Sequence, residues 1–188
     1  MTKSYDKYYQ TVNLFGNPLP ELINFFAQLP TRNRVLDIGC GQGRDAIPIA
    51  RLGFHVIGID SSQVGIEQMN SIAKTENLTL NGVVANIYDF RNYADFDVIL
   101  LDSMFHFTKK DREKEEDLIK NIISTIKDGC HLIICIQDSG KKVEILNKAI
   151  DSVKQFPRIK DQNMKYIFND EESGHQSESK YRMIIIQK

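Results

Sequence analysis

The sequence predicts an α/β fold: a doubly wound, seven-stranded sheet, mostly parallel, that ends in an antiparallel hairpin. Three observations carry this expectation. Short apolar runs of strand length alternate with segments of helical spacing, as parallel strands covered by helices require. The first of these runs ends in a glycine cluster that opens a helix. The last two runs are separated by about a dozen polar residues without helical pattern, and a parallel crossover would need a helix there.

Each element follows in order. Asn17 to Leu29 carries Leu22, Ile23, Phe25, Phe26 and Leu29 at helical spacing, an amphipathic helix ahead of the first strand. Arg34 to Ile38 is the first strand. Ala46, Ile47, Ile49 and Ala50 form a short helix closed by Gly53. His55 to Ile59 is the second strand. Ser61 and Ser62 can cap a helix bearing Ile66, Met69, Ile72 and Ala73. Leu80 to Val84 and Phe96 to Leu101 are the third and fourth strands. The stripe Leu118, Ile119, Ile122, Ile123 and Ile126 is a helix ended by Gly129, and His131 to Ile136 is the fifth strand. A helix around Val143, Leu146, Ile150 and Val153 precedes the hairpin strands, Met164 to Phe168 and Tyr181 to Gln187.

Composition bounds the functions. With 188 residues, 41% of them hydrophobic, the chain can bury one sizeable core. It is read as one domain over 1–188, a lid or helix segment at 1–30 preceding a core at 31–188. The net charge of −1 offers no general positive field for nucleic acid or an anionic membrane. The start, MTKSYDKYYQ, lacks the apolar run of an export signal, and no stretch is long enough to span a membrane. Cys40, Cys130 and Cys135 fit neither a disulfide framework nor a zinc site, so reduced thiols in a cytoplasm are expected. The histidines at 55, 106, 131 and 175 show no ligand spacing, and no metal is expected.

The strongest chemical signal is Val35-Leu-Asp-Ile-Gly-Cys-Gly-Gln-Gly-Arg-Asp45. Glycines at 39, 41 and 43 let a ligand approach the backbone closely at a helix start. A dinucleotide fingerprint would place its third glycine where Arg44 stands. Asp37 would face a bound pyrophosphate, so its carboxylate suits a ligand with positive charge. Asp60, ending the second strand, can accept both hydroxyls of a ribose. The plainer reading is a tight strand-to-helix turn, with Asp60 capping the next helix.

This segment resembles the first motif of the class I S-adenosylmethionine (SAM)-dependent methyltransferases, V-L-D-x-G-C-G-x-G, and residues 32–138 follow that family's order. Gly43-Arg-Asp-Ala46 and Leu52-Gly-Phe54 look like its small-molecule branch, which includes tellurite-resistance and thiopurine-type enzymes. The resemblance implies a Rossmann-like fold, with SAM as cofactor and S-adenosyl-L-homocysteine (SAH) as product. It implies that Asp37, Gly39 and Gly41 hold the methionine portion of SAM, with the Cys40 backbone nearby. Asp60 would bind the ribose, Ser61 would lie beside the adenine and Ile87 would pack on it. Asn86 stands where the family often has an acid, and its carbonyl can still accept from the adenine amino group. Pro48 departs from the pattern, since it costs a helix hydrogen bond unless it falls in the first turn.

Residues Asp102 to His106 follow the fourth strand and are expected at the methyl group, Asp102 on the cofactor side and His106 as candidate general base. Alternatively, His106 only fixes its loop. Tyr5, Tyr8 and Tyr9 either pack the leading helix onto the sheet or form a lid over SAM, with Tyr8 or Tyr9 as the contact. Cys40 is either a small buried turn residue or a redox group. Lys109 to Asp117, nine charged residues in a row, reads as the solvated start of a helix, with Lys109–Glu113 and Arg112–Glu116 pairs.

A small-molecule acceptor is expected, because no basic surface or recognition domain is evident. The Asp102-Ser-Met-Phe stretch also lacks the prolines of the nucleic-acid amino-methylating motif. In-line methyl transfer needs mainly alignment and exclusion of water. Two other functions stay open: a methyltransferase acting on a protein or nucleic acid through a partner subunit, and a non-catalytic SAM-binding module.

Overall fold

The computed structural model describes residues 5–153, 156–169 and 176–188. The chain divides into two compact units, Met1–Phe90 with Phe168–Ser177 and Arg91–Ile167 with Glu178–Lys188.

In the first unit a short 3-10 turn, Tyr5–Lys7, leads to α1 (Pro20–Gln28), β1 (Arg34–Ile38), α2 (Ala46–Arg51), β2 (His55–Asp60), α3 (Gln63–Thr75) and β3 (Leu80–Val84). β1 pairs with β2 in parallel, from Arg34 opposite His55 to Ile38 opposite Ile59. β2 pairs in parallel with β3, bringing Asp60 opposite Val84. Four of the five β1 residues are buried, Val35, Leu36 and Ile38 with the carboxylate Asp37 among them, as a parallel strand covered on both faces requires. α1 is stapled by Phe26, fully buried, whose ring meets that of Phe54 edge-on at 5.2 Å between centroids. Pro48 falls in the first turn of α2, where a missing N–H costs nothing.

In the second unit a 3-10 turn, Tyr93–Asp95, precedes β4 (Val98–Asp102), α4 (Arg112–Thr125), β5 (His131–Gln137), α5 (Lys142–Asp151), β6 (Arg158–Asn169) and β7 (Gln176–Gln187), the last two except for the end of β6 from Phe168 and the start of β7 to Ser177. β4 and β5 run parallel, and β7 pairs antiparallel with β5, Leu132 opposite Ile186 and Gln137 opposite Tyr181. The strand orders β3-β2-β1 and β4-β5-β7-β6 make up one seven-stranded sheet. It is mostly parallel with an antiparallel hairpin, as the sequence predicted. All five β4 residues are buried.

Three strands start two or more residues from the expected position. The fourth strand starts at Val98 because Phe96 closes the 3-10 turn before it. Both hairpin strands are far longer than their apolar stretches. Their polar ends are held by cross-strand pairs, Lys165 with Glu178 at 3.0 Å and Arg182 with Asp161 at 2.5 Å, which stabilise strand pairing without apolar burial. His175 lies outside the described residues.

Candidate active site

The chain leaves β1 at Ile38 and is turned at once by the end of β2: the amides of Gly39 and Cys40 both donate to the Ile59 carbonyl, at 2.8 and 3.2 Å. Asp60 then ties the two strand ends together. One carboxylate oxygen accepts from the Gly41 amide at 3.0 Å, and the other accepts from the Ser62 amide at 2.8 Å. Burial pushes the Asp60 carboxyl up, and these amide bonds oppose that. The Ser61 amide contributes a further backbone bond, and the carboxylate keeps acceptor capacity for a ribose hydroxyl while it braces the loop. Ser62, not Asp60, caps α3, its hydroxyl accepting from the Gly65 amide at 3.1 Å.

Asp37 is buried at the end of β1, 3% exposed. Two buried carboxylates at the ends of adjacent strands, flanking a glycine loop, fit a ligand that carries cationic groups and a diol. The glycines fit it as well. Gly41 has φ +53°, and a Cβ there would run into the Tyr9 hydroxyl. A Cβ on Gly65 would come within 2.8 Å of the Gly41 carbonyl oxygen, so α3 begins directly against the loop. Cys40 is buried, and burial beside Asp37 and Asp60 pushes its thiol well up. That favours the small turn residue over a redox group.

The N-terminal residues pack on this loop. Tyr9 is buried, 5% exposed, while Tyr5 and Tyr8 are exposed. Two glutamines the sequence did not single out fasten the segment. Gln42 donates to the Thr11 carbonyl at 2.8 Å and to the Gln68 side chain at 2.7 Å, while its own oxygen accepts from the Leu14 amide at 3.0 Å. Gln68 donates to the Tyr9 carbonyl at 2.9 Å. Asp6 accepts from the Ser62 hydroxyl at 2.5 Å and the Val64 amide at 3.2 Å. The segment therefore lies over Gly41, Gly65 and the start of α3.

The remaining cofactor candidates of the first unit lie at strand ends. Ser61 is exposed after β2. Asn86 is exposed beyond β3; its oxygen accepts from the Tyr88 amide at 3.2 Å and its nitrogen donates to Asp89 at 2.7 Å. Ile87 is half-buried.

In the second unit Asp102 is the buried last residue of β4. The Ser103 hydroxyl lies 2.7 Å from an Asp102 oxygen, to which it donates, and 3.1 Å from the Tyr181 hydroxyl. His106 is exposed between Phe105 and Phe107, both buried, whose rings stack at 5.6 Å and 9°. The charged run is only partly solvated. Arg112 does pair with Glu116, at 2.6 Å, but Lys109 precedes the helix. Glu115 is buried, 2% exposed, and accepts from the amides of His106 at 3.2 Å and Phe107 at 2.6 Å.

Among known proteins, the methyltransferase-domain family matches residues 35–129, just over half of the chain, and the chain belongs to that family. Within it, the chain is of the class I SAM-dependent type and resembles the TehB branch. It is 28% identical over 131 residues to the probable SAM-dependent methyltransferase TehB of Haemophilus influenzae, covering 69% of this chain and 43% of the relative. It is 32% identical over 113 residues to the ubiquinone biosynthesis O-methyltransferase of Rickettsia canadensis, covering 60% of this chain and 46% of that protein. The chain thus spans about half the length of the curated relatives it matches. The crystal structure of H. influenzae TehB superposes with a TM-score of 0.72 at 20% identity, over 98% of this chain and 65% of that one. A structure from work on conversion of a disulfide bond into a thioacetal group during echinomycin biosynthesis reaches 0.80 at 18% identity, over 100% and 93%. These structural likenesses establish the Rossmann-like fold.

Proposed function

We propose that the chain is a SAM-dependent methyltransferase that transfers a methyl group in line to a small-molecule acceptor, in the cytoplasm, with residues 1–188 working as one domain and 1–30 as its lid segment. The observation that carries this reading is the Asp60 carboxylate bracing the glycine loop at Gly41 and the α3 start at Ser62. A small acceptor is supported by relatives described as ubiquinone biosynthesis O-methyltransferase and 2-heptyl-1-hydroxyquinolin-4(1H)-one methyltransferase. Among the described residues, no helix is long and apolar enough to cross a membrane.

SAM, when bound, supplies a methyl group already activated on a sulfonium. The work left to the chain is binding, orientation and exclusion of water. Asp37, Gly39, Cys40 and Gly41 are assigned to the methionine portion and Asp60 to the ribose. Ser61, Asn86 and Ile87 are assigned to the adenine, where the Asn86 oxygen would have to share its bond to Tyr88. Tyr9 excludes water above Gly41. Asp102 is assigned to the methyl side, and His106 takes a proton from an alcohol or amine acceptor.

The test is a thermal-shift comparison with SAH, SAM and NAD, each at about 1 mM. A ligand at about 100 times its Kd adds roughly 2.7 kcal/mol, which raises Tm by about 5–10 °C for a domain of this size. A shift with SAH and SAM and none with NAD is the expected result. A shift with NAD alone would overturn the assignment.

A further inference from the structure

The apolar stripe of α4 consists of Leu118, Ile119, Ile122 and Ile123, all buried. Continued one turn toward the N-terminus, it reaches Glu115, three residues before Leu118 and four before Ile119. A carboxylate at a core position of an amphipathic helix is costly unless its oxygens are satisfied. Here they are satisfied by the backbone of the β4–α4 loop, the His106 amide at 3.2 Å and the Phe107 amide at 2.6 Å. The loop needs such a tether, since Ser103 and Phe107 both hold left-handed backbone, at φ +60° and +50°, which non-glycine residues adopt at a cost. With Phe105 and Phe107 turned inward and stacked, the exposed residue between them is His106.

We propose that Glu115 is a positioning residue: its carboxylate fixes the His106–Phe107 backbone and so presents the His106 imidazole outward. Glu115 acts through the loop and touches no reacting atom. Its function rests on the methyltransferase reading, in which His106 serves the acceptor.

Glu115→Gln and Glu115→Ala test this in the full chain. Glutamine keeps the length but offers one acceptor oxygen where two amides donate, and its NH2 group opposes the other amide. Amide exchange at His106 and Phe107 is therefore expected to rise in the order Glu, Gln, Ala, by about tenfold or more for alanine. The gain should be confined to the loop. The Phe107 amide proton should lose the downfield shift of a short bond to a carboxylate, and SAH should still raise Tm as in the parent. Unchanged exchange at both residues in both variants would overturn the proposal. So would exchange that rises equally throughout α4, β4 and the loop, because Glu115 would then be stabilising the helix alone. If SAH fails to stabilise the parent chain, the methyltransferase reading fails, while the exchange measurement still decides the role of Glu115.

Discussion

The Tyr9 hydroxyl stands where a side chain on Gly41 would have to begin, so the N-terminal segment packs into the space that glycine leaves on the loop. Gly41→Ala meets both this collision and a φ of +53°. Left-handed backbone at a non-glycine residue costs about 1–3 kcal/mol, equivalent to a fall in Tm of roughly 2–12 °C. Adding Tyr9→Phe should recover part of the fall, the part due to the hydroxyl. An equal Tm for single and double variants would show that the oxygen is not the obstacle.

Gln42→Ala removes the bonds to Thr11 and Leu14 together with that to Gln68. The consequence is expected in the segment rather than in the fold. Limited proteolysis between Tyr8 and Phe15 should accelerate about tenfold, in line with about 1–1.5 kcal/mol of lost local hydrogen bonding, with Tm nearly unchanged. A cleavage rate equal to the parent's would mean that Tyr9 packing alone holds the segment down.

Asp60→Ala withdraws the acceptor from the Gly41 and Ser62 amides at once. Two unsatisfied amides cost about 1–3 kcal/mol each where buried, so Tm should fall and SAM affinity should drop by at least about tenfold. Asp60→Asn, which keeps one acceptor, should lie between. Parent-like affinity in Asp60→Ala, measured by titration calorimetry, would defeat the ribose assignment.

His106→Ala should leave the SAH-induced rise in Tm intact and lower turnover of an alcohol or amine acceptor by about 10²–10⁴-fold, the usual worth of a general base. Normal turnover would reduce the loop to scaffold.

Alkali should unfold this protein early. Burial pushes the Cys130 thiol up to about 12 from 9.0. The folded chain thus keeps a proton that the unfolded chain releases. The stability that this provides is complete below pH 9 and is lost as pH climbs toward 12, at up to about 1.4 kcal/mol per pH unit. Tyr9 and Cys40 are raised as well and act in the same sense. Tm should fall steadily above pH 9, and less steeply in Cys130→Ala. Identical slopes in both proteins would assign the loss to other groups.

The parts of the fold that were legible in sequence are those where periodicity is local. β1 and β3 match their predicted limits, β1 because its apolar positions stop at the glycine cluster that follows Ile38. The hairpin was underestimated because its outer halves are polar and held by pairs such as Arg182–Asp161, 21 residues apart. The glycine loop and Asp60 were legible from spacing. Gln42 and Gln68 were not, since their partners lie 26 to 59 residues away and nothing local marks a glutamine as a clasp. Glu115 left a signal that the run of charge concealed: it falls in register with Leu118, Ile119 and Ile122.

The order β5-β7-β6 has a kinetic consequence. β6 precedes β7 in the chain, yet β7 takes the inner place against β5, so β6 reaches the sheet only through its successor. The edge of β5, Leu132 to Ile136, therefore waits for Arg182 to Ile186, 46 to 54 residues further along the chain, before it is paired. While it waits, this edge is open to pairing with another chain. Refolding yield should depend on protein concentration through this edge, and slow closure of non-local pairs sets how long the exposure lasts.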